Sequence, residues 1–422
     1  MGICTLAYIL SFVDRQILSL LIAPIQSDLG ISDTAFAILH GFAFSLFYAT
    51  MGIPVATLSD RTSRPLVISV GMAIWSVATV ACGLANSFVS LFAARVMIGA
   101  GEAALSPASH ALINDLFPRD RLGRALGIYS LGSFFGAGLA FLTGGAVIAF
   151  VAGQHSLVLG GLMLKPWQAC FVIVGLPGLA LALLVMLTVR DPRRPSGTGV
   201  ARPGFRAVLA MLKQRRAIFI PHMAGYALSG WALFGFLAWA PATLTRGFGL
   251  DMARAGLWLG GIAIFAGGGG ALASGWLLDR FTRAGRGDAA LLVGMVGGGG
   301  TALFALMLGI YPASAGVGAA LAILAGLQFF SSFPIAPSGA LVQLVAPAGM
   351  RARVSALLIC CTSMMGAGVG TLLIGLCNDH LFGTGAGITA SLALVCGTGG
   401  IASAALLALG CAPMRRFLRD AA

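Results

Sequence analysis

Twelve times along the chain, some twenty or more residues pass with few charged side chains. A helix of about 20 apolar residues crosses the roughly 30 Å hydrocarbon core of a bilayer. A chain that repeats the pattern twelve times has few other ways to bury itself, since backbone groups in lipid must be satisfied inside helices or closed barrels. The approximate spans are 3–25, 35–58, 66–84, 89–112, 125–151, 167–189, 217–244, 255–278, 289–311, 315–345, 354–377 and 385–412. Only 9% of the 422 residues are charged and 58% are hydrophobic, whereas soluble domains carry about 25% charged residues. The expected fold class is therefore an all-α polytopic membrane protein. The first span is not a secretory signal, because it lacks a basic leader and Asp14–Arg15 interrupts its apolar run.

The net charge of +13 would suggest a nucleic-acid partner in a soluble chain. Its placement argues otherwise. Twenty-one Lys and Arg residues fall in alternate loops and the tail, around Arg61, Arg121, the stretch 190–216, Arg283, Arg351 and Arg416. The opposite loops hold Lys165, Arg246 and Arg254. Basic loops stay in the cytoplasm, so both termini are expected there and no nucleic acid is expected as a partner. The eight cysteines lie in or beside apolar stretches without metal-ligand spacing, and are read as small core residues. The five histidines are equally scattered. No metal, cofactor or catalytic nucleophile is expected, and the chain does not read as an enzyme.

The longest polar interval, 190–216, divides the chain into six spans (1–189) and six spans (217–412), followed by a cytoplasmic tail (413–422). Residues 206–216 within it fit a short amphipathic helix. The halves share a motif. The loop after the second span reads Ala56-Thr-Leu-Ser-Asp60-Arg61-Thr-Ser-Arg64, and the loop after the eighth reads Gly275-Trp-Leu-Leu-Asp279-Arg280-Phe-Thr-Arg283. A weaker echo pairs Arg121-Leu-Gly-Arg124 with Met350-Arg-Ala-Arg353. Recurrence at matching topological positions marks an internal duplication.

These loops resemble the major facilitator signature Gly-x-x-x-Asp-Arg-x-x-Arg, with Ala56 replacing the opening Gly and Pro65 standing where a basic residue is usual. The resemblance implies two pseudo-symmetric six-helix bundles, a substrate cavity between them and alternating access. It assigns Asp60, Arg61, Arg64, Asp279, Arg280 and Arg283 to a cytoplasmic gate. There, carboxylates of one bundle meet positive helix N-termini of the other while that side is closed.

Four ionisable groups remain deep inside spans: Asp14, Arg15, Arg95 and Glu102, the chain's single glutamate. Each costs roughly 2.5–3.5 kcal/mol to insert, so such groups face a cavity or one another. Arg95 and Glu102 are seven residues apart, about 20° short of two full turns, and share one helix face. Burial opposes ionisation of a carboxyl while a neighbouring guanidinium favours it. Protonation of a carboxyl would free its arginine to hold an anion, and release of the anion would restore the pair.

Phe12-Val-Asp14-Arg15-Gln and Arg95-x3-Gly99-Ala-Gly101-Glu102, followed by Asn114-Asp-Leu-Phe-Pro-Arg, look like the Spinster branch of that superfamily. That branch includes transporters of sphingosine phosphate and lysophospholipids. The resemblance implies proton coupling by Asp14 and Glu102, with Arg15 and Arg95 serving the substrate headgroup or the carboxylates. The expected partners are protons, the bilayer and an amphipathic, anionic lipid-like solute, handled by a monomer in a bacterial inner membrane. A multidrug or small organic-anion exporter on the same fold, or an uncoupled scramblase or sensor, is the alternative. The pairs Gly132/Gly136 and Gly366/Gly370 read as close-packing surfaces. Pro334 and Pro337 should bend the tenth span. Gln328, Ser331 and Ser332 either line the cavity or bond within their helix.

Overall fold

The computed structural model describes residues 1–151, 157–159, 162–191, 205–312, 316–347 and 349–421. Twelve of its helices are long and apolar enough to cross a membrane, from Gly2–Leu20 to Ile388–Asp420. The chain is a multi-pass integral membrane protein. Leu183, Leu187, Phe265, Ile310 and Leu409 are more than half exposed, a surface suited to lipid because bilayer tails are as apolar as these side chains.

The helices pack as two six-helix bundles in the same order. The first span lies on the fifth as the seventh lies on the eleventh, and the third lies on the sixth as the ninth lies on the twelfth. Between bundles, the fifth span meets the eighth and the second meets the eleventh, which is the same contact made in reverse. Small residues permit this closeness. A Cβ placed on Gly136 of the fifth span would lie 2.6 Å from the Phe12 Cβ of the first, and one on Gly366 would lie 3.0 Å from the Gly230 Cα of the seventh.

Several helices depart from simple continuous spans. The first stops at Leu20, and a separate helix of about two turns, Ile22–Leu29, follows it. The fourth breaks between Glu102 and Leu105, a break the sequence analysis did not anticipate. The tenth breaks between Ser331 and Ile335, where Pro334 removes a backbone donor. Wider π-helical turns occur at Ile38–Phe42 in the second span, Thr243–Gly247 at the end of the seventh, Ile262–Gly267 in the eighth, and Met364–Gly370 and Asn378–Phe382 in the eleventh. The second, eighth and eleventh of these spans each contact the opposite bundle. Phe205–Gln214 forms the expected surface helix, with Val208 buried against the second bundle. A short hairpin that the sequence analysis missed pairs Leu157–Leu159 with Leu162–Leu164. Three residues per strand are too few to show a periodicity. All eight cysteines are free, and none is fully exposed.

Overpacking a tight helix contact costs about 1–3 kcal/mol. Gly366→Val is therefore expected to lower the thermal unfolding midpoint of the detergent-solubilised protein by several degrees. An unchanged midpoint would show that the seventh and eleventh spans separate without cost.

Candidate functional site: a buried charge cluster

Asp14, Arg15, Arg95 and Glu102 are all buried, Arg95 completely. The first and fourth spans bring Arg15 and Glu102 together: a guanidinium Nη2 of Arg15 donates to Glu102 Oε2 at 2.5 Å. The Arg15 guanidinium lies over the faces of Phe44 at 4.2 Å, Phe12 at 4.7 Å and Tyr48 at 5.3 Å. An aromatic cage replaces part of the hydration the charge has lost. Glu102 is the last residue of its helix before the break at Ala103–Ala104.

Arg95 is held differently. Its guanidinium donates to the carbonyls of Leu39 at 3.3 Å and His40 at 3.2 Å, and reaches toward the Asp14 carbonyl at 3.5 Å. Leu39 and His40 belong to the π-helical turn of the second span, where the regular ladder is loosened and carbonyls become free to accept. Asp14 faces Trp75 and Thr79 of the third span, with the charges of Arg95 and Glu102 nearby. The four sequence-derived charges thus form one cluster within the first bundle. Arg15 bonds to Glu102 through side chains, while Arg95 bonds to backbone. Arg15 Nε and Glu102 Oε1 are buried without a protein partner, which leaves the pair capacity for a ligand or water.

The loop motifs turn toward their own bundles. Arg64 Nη1 bonds to the Asp115 carboxylate and to the Ala111 carbonyl at 3.1 Å, and the Arg64 N–H donates to Asp191 at 3.0 Å. Asp279, Arg280 and Arg283 are exposed. Arg280 stacks on Trp276, and Arg283 bonds to the Asp279 carbonyl. Asp60 and Arg61 close the helix Ala43–Arg61, but their side chains lie outside the described residues. Gln328, Ser331 and Ser332 are buried and bonded to one another within the tenth span.

At the opposite, arginine-poor end an ion pair joins the bundles. Arg246 Nη1 donates to both carboxylate oxygens of Asp33, at 2.9 and 3.0 Å, and Nη2 bonds to Gln26. Asn378 donates to Asp33 Oδ2 at 2.9 Å. Asp379 accepts from the backbone N–H groups of Asp33 and Thr34 at 3.2 and 2.8 Å, capping the second span from the other bundle. The sequence reading left these residues among the loops. The signal available was Arg246 itself, one of three basic residues on a side that also carries Asp33 and Asp379. The bonds described for Arg64, Arg280 and Arg283 stay within their own bundles, and the bonds that join the bundles lie at the arginine-poor end.

Two bundles latched at one end, with a charge cluster sunk in one of them, have the build of a membrane transporter that alternates between two openings. The chain belongs to the Major Facilitator Superfamily, whose family model matches residues 4–371. An MFS-type efflux pump of Mycolicibacterium smegmatis is 29% identical over 90% of this chain and 84% of its own length. A hexuronate transporter of Bacillus subtilis is 27% identical over 58% of this chain and 56% of its own. A sphingosine-1-phosphate transporter of Danio rerio is 26% identical over 58% and 47%. In structure the chain is similar to a bacterial homologue of the lysosomal transporter Spinster, crystallised in an inward-facing, unoccupied conformation, with TM-score 0.78, 25% identity and coverage of 99% and 97%. The likeness to Spinster proteins seen in the first and fourth spans is thus joined by a likeness of fold that covers 99% of the chain.

Removing Arg246 leaves the buried Asp33 carboxylate without its charge partner. Arg246→Ala is expected to open the arginine-poor end, read as longer distances between spin labels at Ser27 and Ala386. An unaltered distance distribution would show that the ion pair does not hold the bundles together.

Proposed function

We propose that the chain is a proton-coupled secondary transporter of an anionic, amphipathic, lipid-like solute such as a lysophospholipid or sphingosine phosphate. One observation carries the reading: the Arg15–Glu102 pair, buried in an apolar bundle and walled by aromatic rings. Packing alone would not require it, since apolar side chains join helices without the desolvation cost of two charges. Protonation of Glu102 removes the charge that holds Arg15, and the released guanidinium takes the anionic headgroup. Departure of the anion restores the ionised pair. Proton and anion thus share the loaded state, so anion binding tightens as pH falls. Asp14 is the second carboxyl of the relay. Arg95, held by backbone carbonyls, keeps the cluster electrically balanced. The rings of Phe12, Phe44 and Tyr48 suit a substrate whose headgroup adjoins apolar chain.

By the rule that basic loops stay in the cytoplasm, the proposal takes both termini as cytoplasmic, the membrane as a bacterial inner membrane and a monomer as the working unit. In that orientation the Asp33–Arg246 latch closes the outer side. The loop arginines and Asp60 and Asp279 form the gate of the other side. A small organic acid is the second reading, favoured by the hexuronate transporter among the relatives. It uses the same Arg15 and differs in needing no apolar surface.

The test is flux in proteoliposomes with labelled lysophospholipid, sphingosine phosphate and hexuronate, each with and without an imposed pH gradient. Gradient-stimulated lipid flux is expected, and Glu102→Gln is expected to abolish the stimulation and flatten the pH dependence of binding. Stimulation of hexuronate alone would select the second reading, and full coupling in Glu102→Gln would remove the proton role. Hydrogen bonds to charged groups contribute about 1.5–3 kcal/mol. Arg15→Ala should accordingly weaken anionic lipids at least about tenfold more than neutral ones, whereas equal losses would make Arg15 structural.

A further inference from the structure

His40 is 6% exposed, and neither of its ring nitrogens has a protein partner. A buried imidazole without hydrogen bonds is costly enough to need a reason. Its position supplies one. His40 lies in the π-helical turn whose Leu39 and His40 carbonyls hold Arg95. The next residue, Gly41, sits so tightly against the Ala367 backbone of the eleventh span that a Cβ has no room. The ring therefore stands where the charge cluster meets the seam between the bundles.

Other buried polar atoms mark the same seam. Ser45 Oγ and Thr371 Oγ1 lack protein partners. A Cβ on Gly368 would lie 2.8 Å from Ser45 Oγ, and one on Gly41 would lie 3.1 Å from Thr371 Cβ. These atoms of the second and eleventh spans lie inward of the Asp33–Asn378–Asp379 network on the same two helices. Polar sites of this kind are where buried water is held.

We propose that His40 is a proton relay between the arginine-poor end and Glu102, along the seam of the second and eleventh spans. The inference rests on the proton-coupled reading above. A proton arriving through seam water binds one ring nitrogen, the other nitrogen gives up its own toward the Glu102 side, and the ring returns to neutrality by exchanging tautomers. The charges that act on it are Arg95 on the fourth span and Arg15 on the first, with Asp14 and Glu102 in the same cluster and Asp33 two turns earlier on its own helix. The Met364–Gly370 and Thr371–Cys377 segments contribute none. With two guanidiniums close by, a positive ring is repelled, so His40 passes protons on and does not store them.

The test compares two fluxes in proteoliposomes for His40→Gln and His40→Asn, taking whichever labelled solute the wild type transports. Gradient-driven uptake should fall at least about tenfold in both variants. Counterflow of labelled against unlabelled substrate, which needs no net proton movement, should stay within about twofold. Equal loss of both fluxes in a variant that elutes as a folded monomer, or gradient-driven uptake at the wild-type rate and pH profile, would overturn the relay. Two non-titrating replacements of different length guard against misfolding of one. If neither folds, His40 is structural and the relay is likewise overturned. A wild type without gradient-driven uptake of any tested solute would instead refute the proton-coupled reading.

Discussion

Charge in hydrocarbon has to be neutralised where it stands, and the pair between Arg15 and Glu102 is where this chain meets that demand most directly. The other features of the first bundle follow from it. Glu102 reaches Arg15 from the end of a helix segment, and the break behind it lets the fourth span continue at Leu105. Phe12, Phe44 and Tyr48 surround the guanidinium and replace part of the hydration it loses on burial. The second span widens into a π-turn just where Arg95 needs carbonyls. Removing either partner of a buried pair leaves an uncompensated charge, at a typical cost of about 3–5 kcal/mol. Protonating Glu102 is a milder way to part them, since it removes the charge along with the attraction.

The two bundles share a packing order, yet they do different work. The charges lie in the first. The second supplies Arg246, Asn378 and Asp379 to the latch and holds the surface helix Phe205–Gln214. Duplication thus provides the symmetric frame, and the sequences of the halves have diverged at the positions that carry charge. Wide helical turns in the second, eighth and eleventh spans fall on helices that touch the opposite bundle.

Much of this was legible in the sequence, for identifiable reasons. Span length and the Asp60/Asp279 repeat gave the architecture because membrane thickness and gene duplication both leave strong periodic marks. Asp14, Arg15, Arg95 and Glu102 stood out because charges are rare in spans. Their pairing did not, since Arg95 and Glu102 share a helix face while Arg95 bonds to backbone and Glu102 to Arg15. A backbone acceptor carries no residue signature. The break after Glu102 was hidden because Gly101 and Ala103 occur as readily in continuous helices. Asp33 and Arg246 were hidden by their position at helix ends, where a charge looks like part of a loop until the fold brings together two residues 213 positions apart.

The latch has a further consequence through its place at the rim of the membrane. Asp33 is nearly inaccessible, but the Arg246 side chain is 18% exposed, so its attraction is felt partly through solution. Counterions screen such an attraction, with a Debye length of about 10 Å at 0.1 M salt and about 3 Å at 1 M. When the bundles part, water can take over the Asp33 and Thr34 amides that Asp379 caps. The strength with which this ion pair joins the bundles is therefore set partly by the ionic strength of the medium that bathes the arginine-poor end, and the Arg15–Glu102 pair, buried inside the first bundle, is not subject to the same control.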